Sequence, residues 1–251
     1  MSLLEVSGLT KWFGAAQVLR DLSFTVEAGE ILGVIGPNGS GKTTAFNCIS
    51  GLLAPGAGSV RLGGVDVTRW RPHARFRLGL GRTFQLLQVF PGMTVWENML
   101  LAAQERRGGM LRRIVHADEP AAQRRADTLL VLLGLDGVAE YPARELSYGQ
   151  QKLVDLGMAL MGEPALVLLD EPCAGVNPSL VGGISTLLKE LNGSVRHDGH
   201  PSSFIVIEHN MDFVMDLCHR IMVMVEGTVM AIGTPAEIRA NKQVLDAYLG
   251  S

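Results

Sequence analysis

Apolar and polar positions alternate through the opening of the chain. Leu3 to Leu9 and Val18 to Val26 are apolar-rich, partly alternating and divided by a turn around Gly14, which predicts two strands. Glu30 to Ile35 is a short apolar run of the buried-strand type. It leads into a glycine loop, Gly36 to Gly41, and then a helix from Lys42 to about Ser50, stopped by Gly51. Ser59 to Val67, with Gly63-Gly64 as its turn, predicts a further strand-and-turn unit. From Thr94 to about Leu135 the pattern becomes mostly helical, with a Gly- and Arg-rich break at Arg106 to Arg113. The helix Ala121 to Leu133 is expected to place Leu129, Leu130, Leu132 and Leu133 near one side. A helix from Ser147 carries Leu153, Leu156, Gly157 and Leu160 at the i, i+3, i+4, i+7 spacing of a packed face. Strand character returns at Ala165 to Leu169, Phe204 to Ile207, Ile221 to Val225 and Thr228 to Ile232, and short helices close the chain. The simplest architecture is an α/β core interrupted by a mainly helical insertion.

Composition narrows this picture. The 251 residues, 47% hydrophobic and 19% charged, suffice for a buried core without disulfides, so a disordered chain is excluded. A formal net charge of −3 argues against a dedicated nucleic-acid binder, which normally carries a basic excess. Cys48, Cys173 and Cys218 are far apart and odd in number, which suits a reducing compartment rather than a zinc site or a disulfide framework. The apolar runs fall short of the ~20 residues that cross a bilayer, and the N-terminus lacks signal-peptide form. Any membrane role is therefore expected to pass through partner chains.

Three stretches carry chemistry. GPNGSGKTT, Gly36 to Thr44, satisfies GxxxxGK[ST] between a predicted strand and a predicted helix. Such a loop turns backbone N–H groups toward phosphate oxygens. Lys42 neutralises the outer phosphates, the Thr43 hydroxyl is the expected Mg²⁺ ligand, and Thr44 reaches an inner phosphate. Leu166 to Glu171 is an apolar strand ending in two acids. Asp170 there can hold Mg²⁺ through water and Glu171 can polarise an attacking water, although such a pair can also be a strand meeting solvent. LSYGQ, Leu146 to Gln150, lies about twenty residues before Asp170 at a helix N-terminus. Ser147 and Gly149 there suit a γ-phosphate, and equally an ordinary serine cap.

Taken in order, these stretches resemble the nucleotide-binding subunits of ATP-binding-cassette (ABC) transporters over essentially the whole chain. The resemblance implies a P-loop NTPase core with an antiparallel β subdomain and a helical subdomain insertion. It implies one nucleotide-binding domain over 1–251, with a catalytic core at 1–90 and 162–251 and a helical subdomain at 91–161. Two such subunits form a head-to-tail sandwich, each ATP lying between one P-loop and the other subunit's signature. By this likeness Phe13 in KWFG stacks on adenine, with Trp12 as the adjacent fallback, and Val18 packs near the nucleotide. The phosphate and signature positions are Asn38, Gly39, Ser40, Gly41, Lys42, Thr43, Thr44, Ser147, Gly149 and Gln150. Gln85 in RTFQ corresponds to the glutamine that touches Mg²⁺ and the attacking water, Asp170 to the metal-side acid, Glu171 to the general base and His209 in IEHN to the switch histidine. The chain departs from the commonest family forms at Tyr148, Asn177 and Asn210.

GRTFQLLQVFPGMTVWENMLLA, LSYGQQ, EPCAGVNP, IEHNMDFVM and GTPAEIRANKQVLDAYLG resemble the ATPases of branched-chain amino acid importers, and Gly108 to Ala121 fits the longer of their two ATPase subunits. This implies ATP and Mg²⁺, a second ATP-binding subunit (homodimer or heterodimer), two transmembrane permease subunits and, indirectly, an extracytoplasmic solute-binding protein. It places the chain peripherally on the cytoplasmic side of the inner membrane. Urea and amide importers look similar, and a soluble ABC ATPase or a nucleotide sensor without turnover are the rival classes. Residues from Gln85 to about Leu101, with Leu86, Leu87, Val89, Phe90 and Met93, are expected to receive a short helix of the membrane subunit, unless they build the insertion's own core. The basic runs Arg69 to Arg82 and Arg106 to Arg113 are expected to be solvated helix faces.

Overall fold

The computed structural model describes residues 2–83, 88–104, 120–196 and 199–249. Two sheets form the frame. β1 (Ser2–Phe13) and β2 (Ala16–Glu27) pair antiparallel, and β4 (Ala57–Leu62) and β5 (Val65–Asp66) complete a four-stranded sheet in the order β2-β1-β4-β5. The second sheet has six strands in the order β10-β9-β3-β8-β7-β6. It is built from β3 (Ile31–Ile35), β6 (Leu80–Arg82), β7 (Leu166–Asp170), β8 (Ser203–Ile207), β9 (Arg220–Val225) and β10 (Thr228–Gly233). Its pairs are parallel except β9 with β10.

Every residue of β3, β7 and β8 is buried, the signature of strands covered on both faces. The pleat sends successive side chains to opposite sides, and two separate cores result. Leu32, Val34, Leu166, Leu168, Ile205, Ile207, Met222 and Met224 join the four-stranded sheet and helix α1 (Lys42–Ser50), which supplies Ala45, Phe46 and Ile49. Their alternates Ile31, Ile35, Val167, Leu169, Phe204, Val206, Ile221 and Val223 pack on the other face against helices. Those helices include α3 (Val95–Gln104), α4 (Pro120–Leu132), α5 (Tyr148–Met161), α6 (Pro178–Gly193) and α7 (Met211–Leu217). The predicted α/β core with a helical insertion is the architecture found. Among the described residues the remaining α-helices are α2 (Pro72–Arg77), α8 (Pro235–Ala240) and α9 (Lys242–Leu249). Among the described residues no helix is long and apolar enough to cross a membrane.

In the helical part, Leu153, Leu156, Gly157 and Leu160 of α5 are buried as their spacing predicts. A Cβ at Gly157 would lie 2.8 Å from Met99 and 2.9 Å from Leu133, so this glycine sets a close approach of neighbouring elements. Leu132 departs from expectation and is exposed. The buried set is Ala126, Leu129, Leu130 and Leu133, an i, i+3, i+4, i+7 stripe that leaves position 132 outside it. Asn98, fully buried, ties the entry to α3 by accepting from Phe90 N at 2.8 Å and donating to Phe90 O and Thr94 O at 3.1 and 2.8 Å.

The basic run from Arg69 also departs from expectation at two positions. Arg75 is 1% exposed and donates to Cys48 O, Ile49 O, Thr68 O and Trp70 O, so its charge sits on the carbonyl end of α1. Arg82 turns inward and donates to Ser50 Oγ at 2.7 Å. The second basic run and the segment Gly108 to Ala121 lie outside the described residues, apart from Pro120 and Ala121.

Candidate functional site

The site is built where β3, β7 and β8 end on the same edge. β3 runs into Gly36, whose φ of 154° and position leave no room for a side chain: a Cβ would lie 2.1 Å from Met224 O. Gly39 and Gly41 take positive φ, and Gly41, φ 96°, enters α1 directly against Val18 O, 3.0 Å from where a Cβ would stand. The chain thus wraps so that Lys42 begins α1 beneath its own loop. Its Nζ donates to Gly36 O at 2.7 Å and Pro37 O at 3.0 Å. Burial lowers the Lys42 pKa, while Glu171 and Asp170 pull it upward. Asn38 and Gly39 are exposed, and Thr43 and Thr44 half-buried. Among the described residues Ser40 Oγ is buried without a hydrogen-bond partner.

β7 delivers Asp170 and Glu171. The Asp170 side chain is 1% exposed, stands 3.6 Å from Arg82 and, among the described residues, accepts no hydrogen bond. Burial raises its pKa, Arg82 opposes that shift and Glu171 adds to it. At Glu171 the backbone turns into the left-handed region, φ 51°, where a non-glycine residue is uncommon. The turn lifts the carboxylate out of the strand. Glu171 N still donates to Ile207 O at 2.9 Å, and Lys152 Nζ holds Glu171 O at 2.7 Å. His209, just past β8, points Nε2 at Glu171 Oε1 across 3.3 Å, with both side chains partly exposed. Glu171, Val176, Pro178, Glu208 and His209 line a common cavity of about 360 Å³.

The β1–β2 hairpin brings Val18 O beside Gly41, and Phe13 ends β1 in the same hairpin. Phe13 is 49% exposed with Lys11 Nζ 5.5 Å from its ring centre, so it does not serve as core. Trp12 is engaged elsewhere, its ring lying against Gly56.

LSYGQ opens α5 and packs against the segment that follows Glu171, a Cβ at Gly149 falling 3.3 Å from the Val176 backbone. Ser147 caps α5, its Oγ accepting from Gln150 N at 3.3 Å while Ser147 N donates to Gln150 Oε1 at 3.0 Å. Tyr148 packs on Gly175, where a Cβ would lie 2.8 Å from the ring, and Lys152 Nζ sits 6.0 Å from the ring centre. Tyr148 is not among the residues with positive φ, so a glycine's freedom is not required there. Asn177 is exposed, and Asn210 is the N-cap of α7, accepting from Phe213 N at 3.1 Å, a role asparagine fills as well as aspartate. Gln85, with Leu86 and Leu87, lies outside the described residues. Two residues that sequence reasoning passed over also belong to the site: Lys152, which holds the Glu171 carbonyl, and Gly227, whose N–H donates to Ser40 O at 3.0 Å.

Residues 19–174 match the family model described as "ABC transporter". The chain belongs to the ABC transporter ATP-binding family. Residues 228–251 match the model "Branched-chain amino acid ATP-binding cassette transporter". The ABC cassette is 36% identical over 255 residues to the high-affinity branched-chain amino acid transport ATP-binding protein BraF of Pseudomonas aeruginosa, covering 99% of this chain and 98% of that one. It is 37% identical over 256 residues, with the same coverage, to the high-affinity branched-chain amino acid transport ATP-binding protein LivG of Salmonella typhimurium. Among solved structures it resembles the ADP conformation of MJ1267, an ATP-binding cassette of an ABC transporter, with a TM-score of 0.85, 33% identity and complete coverage of both chains. The cassette is an ATP-binding, ATP-hydrolysing chain of P-loop NTPase fold.

Proposed function

We propose that this ABC ATPase powers an importer of branched-chain amino acids, with Glu171 as general base and His209 as its partner at the γ-phosphate. The observation that carries the catalytic part is the 3.3 Å His209–Glu171 pair beside the loop that presents Lys42. The solute is inferred from the similarity to BraF and LivG and from the match at residues 228–251.

In this reading the adenine stacks on the exposed ring of Phe13 beside Val18. The backbone from Asn38 to Gly41, with Ser40 and Thr44, cradles the phosphates. Lys42 exchanges its carbonyl partners for phosphate oxygens. Thr43 and Asp170, with Gln85, would hold Mg²⁺: Asp170 fits because its buried oxygens accept no hydrogen bond among the described residues. When bound, the ion supplies charge neutralisation on the phosphate oxygens. Glu171 takes a proton from water as that oxygen bonds to the γ-phosphorus and the bond to ADP breaks. Ser147, Gly149 and Gln150 serve the ATP of a second subunit. Closure around ATP and release after hydrolysis would drive two permease subunits, with the cassette peripheral on the cytoplasmic side of the membrane.

A groove of about 710 Å³ lined by Leu52, Phe76, Leu80, Phe90, Leu101 and Met158 supports a permease contact beside Arg82. Val89 instead packs on the main core. The test is ATP-dependent uptake by proteoliposomes holding the cassette, its permease subunits and the solute-binding protein. Leucine uptake lost in Lys42→Ala is the expected result. Uptake of urea or a short-chain amide in place of leucine would overturn the solute assignment.

A further inference from the structure

β7 and β8 run parallel in register, Asp170 beside Ile207, and the ladder reaches one residue further through Glu171 N and Ile207 O. There the two chains part, because Glu171 turns into positive φ. The next side chain on the β8 side is Glu208. It is 4% exposed, buried between two loops whose exposed residues carry the chemistry. Its Oε1 accepts from Cys173 N at 2.7 Å, two residues beyond Glu171. Its Oε2 accepts from His209 N at 3.0 Å and from Asn210 N at 3.4 Å. One carboxylate therefore takes over from the ladder at the point where the backbone can no longer bond to itself.

We propose that Glu208 is a positioning residue that fixes the Glu171 loop and the His209 loop at one separation. It does so through backbone N–H groups on both sides, and so sets the 3.3 Å approach of His209 Nε2 to Glu171 Oε1. A buried carboxylate bonded to three N–H groups on two loops is a rigid link, since breaking either side leaves charge or donors unpaired away from water. The link touches neither Lys42 nor its loop, so it governs the rate of the chemical step and not the affinity for nucleotide. This inference rests on the reading of Glu171 as general base.

The test uses the full chain in its purified transporter complex. It compares wild type, Glu208→Gln, Glu208→Ala and Glu171→Gln by steady-state phosphate release over a range of ATP concentrations and by binding of a fluorescent ATP analogue. Glu208→Gln keeps the volume but turns one acceptor into a donor that faces an N–H group. Since misplacement of a reacting group by 1 Å costs up to about a hundredfold, kcat should fall about tenfold in Glu208→Gln and about a hundredfold in Glu208→Ala. KM for ATP and analogue affinity should stay within about twofold of wild type in both, a split that a general loss of structure would not produce. Should Glu208→Ala fail to fold, the isosteric Glu208→Gln decides alone. Wild-type kcat in the Glu208 variants beside an inactive Glu171→Gln overturns the positioning role and leaves the base standing, as does a KM that rises in step with the fall in kcat. Wild-type turnover in Glu171→Gln removes the base assignment, and the inference falls with it.

Discussion

Gly227→Ala tests whether the β9–β10 turn is part of the nucleotide loop's foundation. Gly227, φ 79°, donates its N–H to Ser40 O at 3.0 Å and accepts from Arg20 N at 2.9 Å, so the turn is pinned to both the P-loop and β2. A Cβ there would stand 2.1 Å from Val18 O and 2.9 Å from Val18 C, backbone atoms that cannot rotate away. Relief needs about 1 Å of separation between β2 and the turn. The cost has three parts: about 1–2 kcal/mol for the left-handed conformation, about 1–3 kcal/mol for overpacking, and about 0.5–1.5 kcal/mol for each hydrogen bond stretched. A loss of about 3–8 kcal/mol in urea denaturation is expected, with clearly weakened binding of a fluorescent ATP analogue as Val18 and Ser40 shift. Gly64→Ala is the matched control, because Gly64 has the same φ of 79° with nothing within 4 Å of its Cβ position. It should lose only the conformational part, about 1–2 kcal/mol, and bind normally. Equal losses in the two variants, or unchanged nucleotide affinity in Gly227→Ala, would refute the reasoning.

Arg75→Met should cost about 3 kcal/mol in urea denaturation, since four carbonyls, two of them at the end of α1, lose a charged donor in the interior; a loss under about 1 kcal/mol would contradict that role. Burial pushes the Cys218 thiol from its ordinary 9.0 up to about 12. The unfolded thiol loses its proton above pH 9 while the folded one keeps it, so this group's contribution to stability falls as pH rises from 9 toward 12. The slope is about 1.4 kcal/mol per pH unit. Cys218→Ala should flatten the stability profile by about 1 kcal/mol between pH 9 and 10, where ionisation of the unfolded thiol is still incomplete, and identical profiles would exclude the effect.

The frame was legible wherever burial imposed a period on the sequence. β3, β7 and β8 appear as unbroken apolar runs because both faces are covered, and α5 shows its stripe because one face is. The loop into α1 and the strand ending at Asp170 were legible because a glycine run before a helix and an apolar run closed by two acids are local patterns. β1 and β2 run further than their apolar centres because the backbone ladder of the hairpin continues to Trp12 and Phe13, which are exposed and so lack the buried alternation of the centre. β6 is three residues long and α2 is charged, so neither carries a period. Arg75 and Arg82 read as surface charges, and their burial depends on carbonyls and on Asp170, contacts made only by the fold. Glu208, Lys152 and Gly227 were missed for the same reason. Each bonds at least one backbone atom distant in sequence, and backbone atoms have no residue type to recognise.

The central claim is that Glu171, aimed by the turn after β7 and paired with His209, is the base for ATP hydrolysis. The most direct measurement is the ATPase rate of wild type and Glu171→Gln in the purified transporter complex, with binding of a fluorescent ATP analogue recorded alongside. Turnover reduced about 10²- to 10⁴-fold with nucleotide affinity retained is the predicted result. Hydrolysis by Glu171→Gln at the wild-type rate would contradict the account.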